Sequence, residues 1–278
     1  MSKKPLLIAH AEDPDGIIAR ALKMRHFSMG VNYPESNIFV RYDRIVEAFE
    51  QAAQLVGQHD SVYISDVSLN QKLINAGGHD FTLLERLVSG KESFWFDHHE
   101  GTKSNEKKLA ELGIKVIYDA HQCGALLVAQ HFALKDAYER KLAKIAQAHD
   151  YKTASSDADN TQIGNELEKV IALANEGLDY GLLLDLSCGL RDEKVFDETW
   201  KLRPKWQQYA DAFDKRKEAA FQELNDGVEI VKAGNYNVLF GYCSPLLSQK
   251  PGAYFLRDNH SRSADLFVCM FKPPVRNH

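Results

Sequence analysis

The chain has 278 residues, with 34 Lys and Arg against 39 Asp and Glu, a net charge of −5, and 44% hydrophobic residues. This is an ordinary globular composition, which excludes wholesale disorder, and it lacks the positive excess that would favour long duplex nucleic acid. The apolar stretch at residues 5–8 is too short for a signal peptide and no later run could span a bilayer, so the expectation is a cytoplasmic protein without a membrane partner.

In chain order, β-rich runs at residues 6–9, 38–41, 61–64, 93–96 and 115–117 alternate with helical patterns such as 17–26 and 45–56. The alternation predicts an α/β fold: a three-layer α/β/α domain on a mainly parallel sheet. Helices then dominate: Ala125, Val128, Ala129 and Phe132 share one face, and Leu142, Ile145, Ala146 and His149 share another, ending at Asp150. Residues 198–225 read as a connecting helix with Trp206, Tyr209 and Phe213 on one side. The competing nucleic-acid surface of Lys205, Lys215, Arg216 and Lys217 is interrupted by Asp211, Asp214 and Glu218. Runs at 228–231, 238–242 and 266–271 predict a smaller α/β lobe, which lacks a closing helix and so reads as incomplete. The expected division is 1–195, a linker helix at 196–226, and a C-terminal lobe at 227–278.

Cys123, Cys188, Cys243 and Cys269 are widely spaced, which suggests buried small residues rather than a disulfide framework or a thiolate zinc site. The polar chemistry gathers where strand-like runs end. The first run ends in His10, Asp13 and Asp15, within Asp-Pro-Asp-Gly, a sequence that also suits a turn and an N-cap. The 61–65 run ends in Asp66, which taken singly reads as a helix cap. The 93–96 run ends in Asp97-His98-His99, which packing does not explain. In an open parallel sheet ligands collect beyond the carboxyl ends of the strands, so these side chains would converge. Carboxylates brought together raise one another's pKa, whereas divalent cations make the same cluster favourable.

These residues resemble the DHH phosphoesterase superfamily, which is named for the triplet found here as Asp97-His98-His99. The resemblance adds His10 with Asp13 and Asp15, then Asp66, then Asp150 in Ala148-His149-Asp150-Tyr151. It implies an α/β/α domain joined by a helical linker to a smaller domain, with the active site in the cleft. By the resemblance, His10, Asp13 and Asp66 hold one metal and Asp15, Asp66, His98 and Asp150 the other, with Asp66 bridging. Asp97 orients the loop, and His99 faces the substrate phosphate. The cofactor implied is two divalent ions, Mn²⁺ ahead of Mg²⁺, a choice that oxygen and imidazole ligands also suit.

The spacing departs from the family pattern at His10, which stands three residues before Asp13 rather than two or four. The family's glycine-rich, His-containing substrate loop has no counterpart near the C-terminus. The resemblance is nearest the small nanoRNase-like members, implying phosphodiester hydrolysis of short oligonucleotides or small nucleotide phosphodiesters. A phosphoanhydride hydrolase and a non-catalytic nucleotide-binding protein stay open beside it. Outside the site, His121 reads as a surface or capping residue, His149 as a hydrogen-bonded core histidine, and Arg257, His260 and Arg262 as solvent-exposed.

Overall fold

The computed structural model describes residues 4–30, 36–151, 157–243, 249–260 and 263–271. Along the chain, β1 (Pro5–His10), α1 (Pro14–His26), β2 (Asn37–Val40), α2 (Ile45–Leu55), β3 (Ser61–Ser65), α3 (Gln71–Ile74), α4 (Thr82–Val88) and β4 (Glu92–Asp97) come first. Then follow α5 (Glu100–Ser104), α6 (Glu106–Glu111), β5 (Ile114–Tyr118), α7 (Gly124–His131), α8 (Ala137–Asp150), α9 (Ala158–Glu176), α10 (Tyr180–Arg191) and α11 (Pro204–Asp226). The last elements are β6 (Glu229–Ala233), β7 (Tyr236–Cys243), α12 (Gln249–His260) and β8 (Leu266–Phe271).

β1 is apolar from Leu6 to Ala9 without alternation, as a strand covered on both faces must be, and all six of its residues are buried. It lies inside a five-stranded parallel sheet of order β2-β1-β3-β4-β5. On one face Leu6, Ile8, Ile64 and Trp95 pack with Phe49 of α2 and Leu84 of α4 in a single cluster. α1 and α7 pack on the other, with α8 and α10 against α1. The three-layer α/β/α arrangement expected from the alternating pattern is the one observed. Trp95 is fully buried and its indole N–H donates to Val67 O at 2.9 Å, so its large ring leaves no unpaired donor in the core.

α1 begins where the sequence provides for it. Asp13 has extended backbone angles and its carboxylate accepts from Gly16 N; Pro14 fills the first turn, and Lys23, Arg25 and His26 sit in the last turn, where the helix dipole favours them. Gly16 is required for another reason. A Cβ there would stand 2.2 Å from the His10 carbonyl oxygen, so α1 can start this close to the end of β1 only without a side chain.

The connecting helix starts later than residue 198. α11 begins at Pro204, which suits a first helical turn, and the preceding residues form a tight turn closed by a Phe196–Leu202 bridge. Asp197 Oδ1 organises that turn by accepting from Thr199 N, Thr199 Oγ1 and Lys201 N. Short-range polar chemistry therefore outcompetes the helical pattern at 198–203.

The chain divides into two units within α11, 1–207 and 208–278. In the second, β6 and β7 form an antiparallel hairpin, and β8 pairs parallel to β7 after the α12 crossover. Its core is small: Leu224, Leu239, Leu256 and Cys269, with Phe221 stacked on Phe255 at 4.6 Å. α12 is a helix the sequence pattern does not suggest. Cys123, Cys188 and Cys269 are buried; Arg262 and the Cys243 side chain lie outside the described residues. Among the described residues no helix is long and apolar enough to cross a membrane.

Gly16→Ala is expected to destabilise the protein by about 3 kcal/mol, because the new methyl meets rigid backbone. Urea denaturation of the purified variant measures it, and a loss below about 1 kcal/mol would mean that α1 can shift freely.

Candidate metal centre

The chain leaves β1 for β2 on one side of it and returns for β3 on the other, so the connections diverge between the carboxyl ends of β1 and β3. That divergence opens the crevice where open α/β sheets bind ligands. His10 ends β1 with Asp13 just beyond it, Asp66 directly follows β3, Asp97 ends β4 with His98 and His99 behind it, and Asp150 ends α8.

All eight sequence-predicted residues meet in this crevice. Ligand-capable atoms of Asp66, Asp97, His98 and His99 lie within 4.8 Å of one another, as do those of His10, Asp13 and Asp66, and those of Asp15, His98 and Asp150. Ligand atoms about 2.0–2.2 Å from a common ion can be no more than about 4.4 Å apart, so the three groups are near coordination spacing. Asp66 joins two of them. Its Oδ2 lies 3.3 Å from His10 Nδ1 and its Oδ1 3.3 Å from His98 Nε2.

Asp66 is not a helix cap: Asn70 caps α3 instead, by accepting from Leu73 N. Asp66 has φ 55, in the left-handed region that costs a residue with a Cβ about 1–2 kcal/mol. Its amide donates to Phe96 O at 2.9 Å, which ties the turn to the neighbouring strand. Asp15 is gripped differently. Both its oxygens accept backbone amides at the start of α7, from Gly124 and Ala125 at 2.7 Å each. A Cβ on Gly124 would sit 3.1 Å from Asp66 Cβ and 3.2 Å from Asp15 Oδ2, so the close approach of α7 depends on that glycine.

The histidines are oriented by partners that the sequence does not reveal. Tyr151 Oη gives its proton to Ala120 O at 2.8 Å, so it accepts from His98 Nδ1 at 3.1 Å. That tautomer leaves the His98 Nε2 lone pair facing Asp66. His10 presents Nδ1 to Asp13 at 3.0 Å and to Asp66, while its Nε2 lies 3.4 Å from Glu12 Oε2, which also accepts from Tyr42 N. His99 Nδ1 donates to Asp97 Oδ1 at 2.7 Å, leaving Nε2 on the open side of a ring whose side chain is 36% exposed. Asp97 is fully buried and its Oδ2 has no hydrogen-bond partner among the described residues. Glu12, Tyr42 and Tyr151 lie close in sequence to recognised site residues or strand ends, but nothing in their local pattern signals these bonds.

Outside the crevice, His149 is buried and paired with Glu168 at 3.2 Å. His121 is exposed, and its amide donates to Asp119. In the second unit, Arg257 is exposed while His260 is half-buried and bonded to Asn225 at 2.9 Å.

The electrostatics suit cations. Burial, then repulsion from Asp13, pushes Asp66 up to about 7, and burial with repulsion from Asp66 and Asp13 raises Asp15 well above the carboxylate range. Burial likewise raises Asp150. Burial alone would lower His10, but Asp13, Asp66 and Glu12 carry it above its usual value. Burial also opposes ionisation of Asp13, yet the charge and hydrogen bond of His10 hold its carboxyl low. A buried cluster that retains protons for want of positive charge, with only oxygen and imidazole donors, fits hard or borderline divalent ions.

No family model matches the sequence, and no curated protein does. Solved structures share the fold, two of them as follows. A DHH domain from a member of a family of ribosomal proteins matches with a TM-score of 0.59 and 13% identity, over 94% of this chain and 69% of that one. Exonuclease RecJ bound to manganese matches with a TM-score of 0.53 and 13% identity, over 98% of this chain and 79% of that one. The chain therefore has the fold of the DHH-domain proteins.

The pKa shifts give a pH dependence for the metal-free protein. Asp66 and His10 hold protons in the folded state that the unfolded chain would release, so their contribution is complete below the unfolded pKa and is lost as pH rises through the folded one. Metal-free protein should lose thermal stability between about pH 4 and about pH 7, and Asp66→Asn should flatten that slope. Circular-dichroism melts measure it, and stability rising across this window would contradict the charge assignment.

Proposed function

We propose that the protein is a metal-dependent phosphodiesterase acting on short oligonucleotides or small nucleotide phosphodiesters. The observation that carries this reading is the position of Asp66, whose two carboxylate oxygens face separate imidazoles in overlapping ligand groups. His10, Asp13 and Asp66 would hold one divalent ion; Asp15, Asp66, His98 and Asp150 would hold a second. The manganese of the RecJ structure, on the same fold, supports Mn²⁺. Bound ions would supply charge for a phosphoryl oxygen and lower the pKa of water.

The chain's own residues do the rest. Asp97 holds the His99 ring through Nδ1, so Nε2 can donate to a phosphate oxygen or protonate a departing one. Burial works against the charged form of His99, but the bond to Asp97 outweighs it and raises the pKa, keeping the proton available near neutrality. Tyr151 fixes the His98 tautomer, and Glu12 and Tyr42 anchor His10, so these rings need little reordering when ligands arrive.

Asp66→Asn is expected to abolish Mn²⁺-dependent hydrolysis, because a neutral amide cannot balance two dications. His99→Ala should lower turnover about 10²-fold or more while metal content stays near wild type. Dinucleotides, cyclic nucleotides and pyrophosphate assayed side by side with Mn²⁺ test the substrate class. Pyrophosphate release without diester turnover would make the protein a phosphoanhydride hydrolase, and nucleotide binding without any turnover would make it a binding protein.

A further inference from the structure

Two turns beyond Asp15 on α1, Lys23 is 0% exposed. Its ammonium donates to Ser65 Oγ at 2.7 Å and to Tyr63 O at 3.5 Å, both on β3. Burial lowers its pKa well below the usual value, and Arg20, one turn earlier and equally buried, lowers it further; Asp15 and Asp66 are the charges that oppose this. An apolar side chain of the same length would fill this space with less desolvation, so packing does not account for a buried ammonium here. Ser65 pairs with Ala9 and Phe96 in the sheet, and the next residue, Asp66, turns into the left-handed region. A strained backbone persists only where its surroundings over-determine it. The amide of Asp66 is held from the β4 side by Phe96 O, and Ser65 is held from the α1 side by Lys23.

We propose that Lys23 is a positioning residue: acting through Ser65, it clamps the end of β3 so that the Asp66 carboxylate is aimed between the two metal positions. This rests on the reading of Asp66 as a metal ligand. The alternative role, plain charge, has the opposite sign. Any positive charge that Lys23 carries repels two dications, so removing it without any positioning effect would tighten metal binding or leave it unchanged. Removing a clamp loosens it, by the tenfold or more typical of residues that orient metal ligands.

The test is calorimetric titration of the full chain with Mn²⁺ at neutral pH, with melting temperature recorded for each variant. Lys23→Met keeps the length of the side chain, and Ser65→Ala keeps the ammonium while deleting the hydroxyl it binds. Each is expected to weaken Mn²⁺ binding about tenfold or more, and the double variant should be no weaker than Lys23→Met, because both break one bond. Mn²⁺ binding by Lys23→Met as tight as wild type or tighter overturns the proposal, as do fully additive losses in the double variant. If Lys23→Met does not fold, Ser65→Ala decides, and unchanged binding in that variant overturns it. Failure of the wild type to bind Mn²⁺ would instead overturn the metal-centre reading itself.

Discussion

The mutual repulsion of carboxylates crowded into one crevice is the constraint on which the first unit turns. Asp13, Asp15, Asp66 and Asp150 come from three separated stretches of chain, and burial with repulsion holds Asp15, Asp66 and Asp150 above their ordinary pKa. Folding alone gives such a cluster no return. It becomes favourable only with positive charge, and the imidazole of His10, held above its usual pKa by its carboxylate neighbours, supplies part of it. The rest is what divalent cations would bring.

The surrounding structure restrains these groups with backbone and neutral partners where charge would be too costly. Asp15 is held by two amides at the start of α7, an arrangement that Gly124 permits by leaving no side chain in the way. Asp66 is held by an amide-to-carbonyl bond across the sheet, and His98 by a phenol already committed to a backbone carbonyl. Each device fixes orientation without adding another ion to the crevice, which keeps the donor lone pairs directed inward.

The site is legible in the sequence because each chemical group sits at the end of a strand whose apolar run is unmistakable: 6–9 before His10, 61–64 before Asp66, 93–96 before Asp97. Strand ends in a parallel sheet share one edge, so linear position translates directly into spatial position. The supporting residues do not translate. Tyr151 looks like any helix-terminal tyrosine until the tertiary fold brings Ala120 and His98 to its hydroxyl, and Lys23 reads as an ordinary basic residue near a helix C-terminus until β3 lies beneath it. The start of α11 differs from the expected one because the charged, turn-poor pattern extends back across a turn that Asp197 closes with side-chain bonds. α12 is invisible to the local pattern because its neighbours supply most of its reason to be helical.

The order of the strands bears on how the molecule comes into being. β1 needs β3 as its inner neighbour, and no partial chain ending before residue 66 can offer a ligand from both sides of the divergence. The last carboxylate arrives at Asp150, after all five strands have been synthesised. During translation the crevice is therefore a late assembly, with α9 and α10 still to follow.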